Sequence, residues 1–240
     1  MTTATDTAFP IVSIHVGRPR AMDAGDDPGK PWTSGIIKDR VDGPIRVGRE
    51  NLDGDGQADL VHHGGVDKAV LAYPAVHFPF WKQEFPDVHW GDGTFGENLT
   101  IAEADETKVC IGDVFEIGDC VLQVSQPRQP CWKLSRRWRL PKLAVRVQQT
   151  RRTGWYFRVL STGTIRPGQS MHLTRRDYPD FTVAFANDVM FAKPRDAALD
   201  LRLAACDALS VSWKKTLNTR SGGSESDHQS SVDARLRGDS

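Results

Sequence analysis

Val109 to Val124 (VCIGDVFEIGDCVLQV) holds two β-branched apolar runs on either side of Gly118-Asp119, the strongest local hairpin signal in the chain. Other short strand patterns surround it. Ile11 to Gly17 (IVSIHVG) reads as a first, buried strand, and Gly154 to Leu160 and Ser170 to Thr174 read as strands flanking the turn Arg166-Pro167-Gly168. Arg18 to Pro31, rich in Gly, Pro and Asp, reads as a mobile loop leading to a short strand at Trp32 to Lys38. Ala69 to Phe85 is apolar with helical spacing at His77, Trp81 and Phe85, so a helix starting at Pro74 is expected. Pro79 should kink that helix or push its start downstream, and the aromatic stripe reads as core. Leu143 to Gln149 reads as a short helical or extended connection. Many short strands and few long helices before residue 180 point to a mainly β fold with some α, a closed or nearly closed β-barrel. From about Asp188 the period turns helical, with Leu209, Trp213 and Leu217 on one face and Ser210 placed to cap that helix. The expected organisation is a flexible segment over 1–9, a barrel over 10–178, a small helical domain over 179–218 and a disordered tail over 219–240.

Lys and Arg together number 31, as do Asp and Glu, giving zero formal charge. No global field therefore argues for nucleic acid or an anionic membrane as a partner. The N-terminus MTTATDTAFP lacks a basic n-region and an apolar h-region, and no run of roughly 18 apolar residues occurs. The four cysteines form no Cys-x-x-Cys pair, and 240 residues can build a core without disulfides. A cytoplasmic protein with reduced thiols is the expectation, and Cys110 and Cys120, inside apolar runs, are read as structural.

The chemistry concentrates in Val124 to Leu134 (VSQPRQPCWKL), where a strand ends, bends through two prolines and delivers Cys131 to the start of a helix expected over Cys131 to Leu140. A sulfur there, beside Arg128, Lys133, Arg136 and Arg137, is favoured as thiolate, the form that attacks electrophiles or binds a soft metal. The same loop is equally compatible with a small buried hydrophobe. Lys38 after two isoleucines can place an ammonium at a rim, although an ordinary solvated lysine is the favoured reading. Asp53, Asp55, Gln57 and Asp59 alternate like a calcium loop, but Ala58 and Gly64 stand where that loop needs glycine and glutamate. His62-His63-Gly64-Gly65 pairs backbone amides that can approach an anion with a histidine able to donate to it. Gly91 to Thr100 (GDGTFGENLT) sets Glu97 and Asn98 side by side in a Gly-rich loop, suited to ligand binding and equally to ordinary turn chemistry.

Together HHGGVDKAVLAYP, FGENLT, VCIGDVFEIG, LQVSQPRQPCWKL, GWYFRVL and ALSVSWKKTL, in this order over roughly residues 10 to 218, closely resemble the YiiM-type MOSC-domain proteins. The resemblance implies a MOSC β-barrel followed by a three-helix domain, binding a molybdenum cofactor (molybdopterin). Members are linked to reductive detoxification of N-hydroxylated compounds such as 6-hydroxylaminopurine, and pyridoxal phosphate binding is also associated with the family. By resemblance Cys131 is the molybdenum ligand and the catalytic centre. Arg128 lies near the cofactor's anionic groups, and Asn98 with the backbone of Phe95, Gly96 and Glu97 meets the pterin. Lys38, His63, Gly64 and Gly65 surround the phosphate. The implied partners are a small N-hydroxylated substrate and a separate electron-donating reductase. The helical domain is read either as a wall of the substrate pocket or as the contact of a homodimer. A carrier of the cofactor or of sulfur on Cys131, without reductase activity, is the alternative. Pro79, the long loop 18–31 and the last twenty-odd residues depart from the family pattern.

Overall fold

The structure, a computed structural model, describes residues 7–22, 31–60, 63–222 and 232–238. In chain order the barrel region holds β1 (Ala8–Val16), β2 (Arg20–Met22), β3 (Trp32–Ser34), β4 (Asp39–Val41), β5 (Ile45–Val47) and β6 (Val70–Pro74), then helix α1 (Phe78–Glu84). There follow β7 (Leu99–Ile101), β8 (Val114–Ile117), β9 (Cys120–Pro127), α2 (Trp132–Trp138), α3 (Leu143–Thr150), β10 (Trp155–Ser161), β11 (Gly163–Ile165) and β12 (Ser170–Arg175). Three helices end the main run: α4 (Val183–Phe191), α5 (Ala197–Ala204) and α6 (Val211–Gly222).

Seven strands close a ring in the order β1, β12, β8, β9, β10, β6, β7 and back to β1, while β4 extends from β1. Closure depends on β1 serving two neighbours. Ala8 to Pro10 pair with β12 and Ile11 to Ile14 with β7, and an irregularity between Ile11 and Ser13 turns the strand from one partner to the other. All ring pairs are antiparallel except β6 and β7, whose parallel pairing requires a crossover. That crossover carries α1 and the 91–98 loop to the outside of the barrel.

Strand alternation then creates two cores. Val70, Ala72, Trp155 and Phe157 point into the barrel and join the main apolar cluster. Tyr73 points out, into a second cluster with Phe78, Trp81, Trp90, Phe95, Leu134, Leu143 and Val147. Tyr73 and Phe95 stack with centroids 4.0 Å apart, and the Trp81 indole N–H donates to the Tyr73 hydroxyl at 2.6 Å. The second core thus binds α1, the 91–98 loop, α2 and α3 to the barrel wall.

The expected hairpin about Gly118-Asp119 is present, although its first strand begins at Val114 and Cys110 instead bridges Thr182. Cys110 and Cys120 are buried, and burial pushes their thiols up to about 11 and about 12. Trp213 N–H donates to the Ser210 hydroxyl at 3.3 Å, the expected cap. Several expectations are corrected. The helix expected to start at Pro74 starts at Phe78, and Pro74 instead ends Val70–Pro74, a strand buried along its whole length with no polar alternation to mark it off from a buried helix. Of the two outcomes expected of Pro79 the downstream start is the one observed: Pro79 sits in the first turn of α1, where its missing N–H costs nothing. The segment over 1–9 is not wholly flexible, because Ala8 and Phe9 pair with His172 and Met171; residues 1–6 lie outside the described residues. Part of the loop 18–31 is ordered as β2 against β3, with 23–30 outside the described residues. Helix begins at Val183, ahead of Asp188. The tail expected to be disordered from 219 is ordered in two places: α6 runs to Gly222, and 232–237 is helical. Among the described residues no helix is long and apolar enough to cross a membrane.

Arg220 explains the first of those two ordered pieces. Its guanidinium pairs with the Asp200 carboxylate and donates to the carbonyls of Met190 (2.5 Å) and Val189 (2.6 Å), tying α6 to α5 and to the end of α4. Both side chains are buried, so removing one leaves the other charge unpaired. Arg220→Met should lower stability by about 3–5 kcal/mol, roughly 10 °C in Tm, and Arg220→Met with Asp200→Leu should regain most of it. Calorimetry of the single and double variants checks this, and equal losses in both would contradict the pairing.

Candidate functional site

A cavity of about 670 Å³, measured out to open solvent, lies on the outer face of the barrel wall. Its floor is Leu71 of β6 and Tyr156 of β10, cross-strand partners whose neighbours point inward. Loops raise the walls: 34–38 after β3, 56–59 with His63, and Phe95, Gly96 and Asn98 from the crossover. Arg128, Gln129, Cys131 and Lys133 close it from the end of β9 and the start of α2. None of the lining residues comes from α4, α5 or α6.

Cys131 is the N-cap of α2, with extended backbone, and is half-buried. Helix α2 braces the site. Arg137 donates to the carbonyls of Ile36 (2.7 Å) and Gly93 (3.2 Å), and the Trp138 indole donates to the Thr94 carbonyl at 3.0 Å. Burial draws the Arg137 guanidinium down to about 10, which leaves it charged at neutral pH. Where the crossover loop meets Ile36, only glycine fits: Gly96 has φ +73°, and a Cβ there would stand 2.9 Å from the Ile36 carbonyl oxygen.

The expected residues separate into two groups. Cys131, Arg128, Lys38, His63, Phe95, Gly96 and Asn98 line the cavity together. Glu97, Gly64 and Gly65 do not. Glu97 is fully buried and accepts from Gly93 N–H (2.6 Å), Phe95 N–H (2.9 Å) and the Thr100 hydroxyl (3.0 Å), so it fixes the loop from beneath. Burial nevertheless pushes its carboxyl up. Gly64 and Gly65 lie beside the cavity lining, Gly65 exposed, and His62 falls outside the described residues. Asn98 lines the cavity, yet both its amide donors are engaged, on Asp55 (2.8 Å) and the His15 carbonyl (3.2 Å). Its carbonyl accepts from Leu71 N–H at 3.0 Å. Lys38 is not the solvated lysine the sequence favours: it is buried and ion-paired with Asp55. Burial lowers its pKa, and the Asp55 charge opposes the shift.

Asp55 is the residue sequence reasoning missed. Its fully buried carboxylate also accepts from Gly17 N–H at 2.9 Å, joining three loops. The only signal was an aspartate in a Gly-rich stretch, and its partners at 17, 38 and 98 are remote in sequence. Lys68 and Tyr156 were likewise not anticipated as lining residues, whereas Lys133, expected beside the Cys131 sulfur, lines the cavity with it.

Electrostatically the cavity suits an anion. Lys68, Arg128 and Lys133 line it against one lining carboxylate, Asp59, while the charge of Lys38 is met by Asp55 behind the lining. One buried polar atom of a lining residue, Arg128 Nη1, has no hydrogen-bond partner among the described residues, whereas His63 Nδ1 lies 3.5 Å from an Asp59 carboxylate oxygen. Leaving a group such as Arg128 Nη1 unmet costs about 1–3 kcal/mol, so it marks where a ligand would be repaid for binding. Burial, then Lys133, Lys68 and Arg128, hold His63 down at about 4, against the pull of Asp59.

The sequence comparisons agree with this geometry. A family model described as the MOSC domain matches residues 59–172, and one described as the YiiM-like 3-alpha helix domain matches 181–220. YflK of Bacillus subtilis (strain 168), an uncharacterized protein, is 43% identical over 86% of this chain and 91% of its own length. The chain belongs to the YiiM-type MOSC-domain family. The crystal structure of YiiM from Geobacillus stearothermophilus superposes with a TM-score of 0.75 at 36% identity, covering 89% of this chain and all of that one. A protein of Gibberella moniliformis (strain M3125 / FGSC 7600) named "Reductase" is 39% identical over 83% of this chain and 35% of its own length. The YiiM-type barrel and helical domain expected from the motifs are therefore established, and one relative carries a reductase name.

His63 should stay neutral throughout neutral pH, its NMR titration midpoint lying near 4. The unfolded chain then binds more protons than the folded one between about pH 4 and 6.5, so this group makes stability fall as pH drops through that window. A midpoint near 6.5 in the folded protein would contradict the buried, cation-flanked setting.

Proposed function

We propose that the cavity binds a molybdenum cofactor and that the protein reduces N-hydroxylated small molecules, hydroxylaminopurine-type base analogues among them. The observation that carries this is one cavity holding Cys131 beside the unsatisfied, buried guanidinium nitrogen of Arg128. The donor set fits a pterin cofactor with a phosphate. Cys131 offers a single soft sulfur, and among the described residues no three His, Cys, Asp or Glu side chains converge into a site for a bare ion. Arg128, Lys133 and Lys68 supply the cations that phosphate oxygens need, and Leu71 and Phe95 give an apolar surface for a flat ring.

When bound, the cofactor supplies the two-electron redox chemistry. The net change is R–NHOH plus two electrons and two protons giving R–NH2 and water. The electrons come from a separate reductase, and the protein's share is orientation, charge and protons. Cys131 and Arg128 fix the cofactor's orientation from one wall. Tyr156 on the cavity floor offers a phenol that burial keeps protonated, a hydrogen-bond donor through which solvent protons can reach a bound substrate. The Lys38–Asp55–Asn98 network holds the opposite wall still, so that the loop donors need little reorganisation.

Protein made in a cofactor-competent host should carry stoichiometric molybdenum and pterin and reduce hydroxylaminopurine with a dithionite-reduced dye. Cys131→Ser should lose turnover. Tyr156→Phe should keep its metal and lose up to about tenfold in kcat/KM, the worth of one hydrogen bond. Holo-protein that is inert with the dye would favour a cofactor carrier, and folded wild-type protein without metal or pterin would overturn the assignment.

A further inference from the structure

The segment after α6 returns to the Cys131 turn. Its helical stretch, 232–237, buries Leu236. Arg235 donates to the Pro130 carbonyl and, at 2.6 Å, to Gln148 Oε1 of α3. The same guanidinium lies 6.0 Å from the Phe191 ring centroid at the end of α4. Three residues on, Gly238 packs on the Trp132 ring so closely that a Cβ there would be 3.3 Å from the indole, and its φ of +80° excludes most other residues. One short segment therefore fastens α3, α4 and both neighbours of Cys131 in the chain.

The turn needs such a fastening. On its β9 side Arg128 N–H donates to the Gly154 carbonyl at 3.1 Å, and on its helical side Leu134 N–H donates to the Cys131 carbonyl at 3.1 Å. Between them Pro130 has no N–H to donate, so its carbonyl is what remains to hold the backbone just before Cys131. Arg235 supplies the donor. Burying a guanidinium on neutral acceptors is costly, and burial draws this one down to about 10. A surface arginine with no positional task would stay in water.

We propose that the C-terminal segment is a clasp on the Pro130–Trp132 turn and that Arg235 is the positioning residue for Cys131. This rests on the functional reading above for the importance of Cys131, but the clasp itself can be tested on cofactor-free protein. Iodoacetamide alkylation of Cys131, followed by peptide mass spectrometry with buried Cys110, Cys120 and Cys206 as internal references, reports access to the turn. Hydrogen exchange over 128–134 reports its order. Arg235→Ala in the full-length chain, and a chain shortened to end after Gly222, should each raise alkylation of Cys131 and exchange of the turn about tenfold, as loss of a charged hydrogen bond predicts, with barrel exchange unchanged. Arg235→Lys, which can reach the Pro130 carbonyl but not fork to Gln148, should recover part of the protection. Rates within about twofold of wild type in both Arg235→Ala and the shortened chain would overturn the clasp. Should the turn loosen while the wild type binds no molybdenum, the clasp stands and the cofactor reading falls. Molybdenum binding without loosening gives the reverse.

Discussion

The double pairing of β1 is the constraint on which the rest of the structure depends. By meeting β12 with its first residues and β7 with its later ones, β1 leaves the ring no open edge there. A closed ring fills its interior with half of each strand's side chains and turns the other half outward. Outward apolar residues on β6 and β10 must then be covered. The cover is the aromatic cluster of Tyr73, Trp81, Trp90 and Phe95 with Leu134 and Leu143, and the same cluster fixes the crossover loop and α2 to the barrel wall. The site is thus a consequence of closure: Leu71 and Tyr156 remain outside the aromatic cover and become the floor of a cavity.

Charge is managed differently on the two sides of that cavity. One wall is neutralised internally, with Lys38 and Asp55 paired and Asn98 bonded to both its neighbours. The other wall keeps Arg128 partly unsatisfied beside Cys131 and Lys133. A rigid, self-satisfied wall facing an electropositive, under-satisfied one is an arrangement that orients an anionic ligand without moving to do so. Arg137, buried and donating to both wall loops, keeps the distance between them fixed.

Local signals in the sequence were readable where the chain answers to its neighbours. Gly118-Asp119 made the hairpin, Ser210 capped α6, and Pro130 marked the entry to the helix that follows Cys131. The motif resemblance extended this to the family and to seven residues that line one cavity. What stayed hidden is non-local. The start of α1 looked to lie at Pro74 because Val70–Pro74, a strand covered on both faces, carries no alternation to set it apart from the helix that follows. Lys38 looked solvated because its partner, Asp55, lies 17 residues away. The polar tail looked disordered because its order comes from Arg220 on Asp200 and Arg235 on the Pro130 carbonyl, contacts that composition does not encode.

The central claim is that Cys131 is the protein's ligand to molybdenum in this cavity. X-ray absorption at the molybdenum edge, on holo-protein of the wild type and of Cys131→Ser loaded with the same cofactor, tests it most directly. The account predicts one sulfur ligand fewer in the variant, with the cofactor's own sulfurs unchanged. Identical sulfur coordination in the two proteins would contradict it.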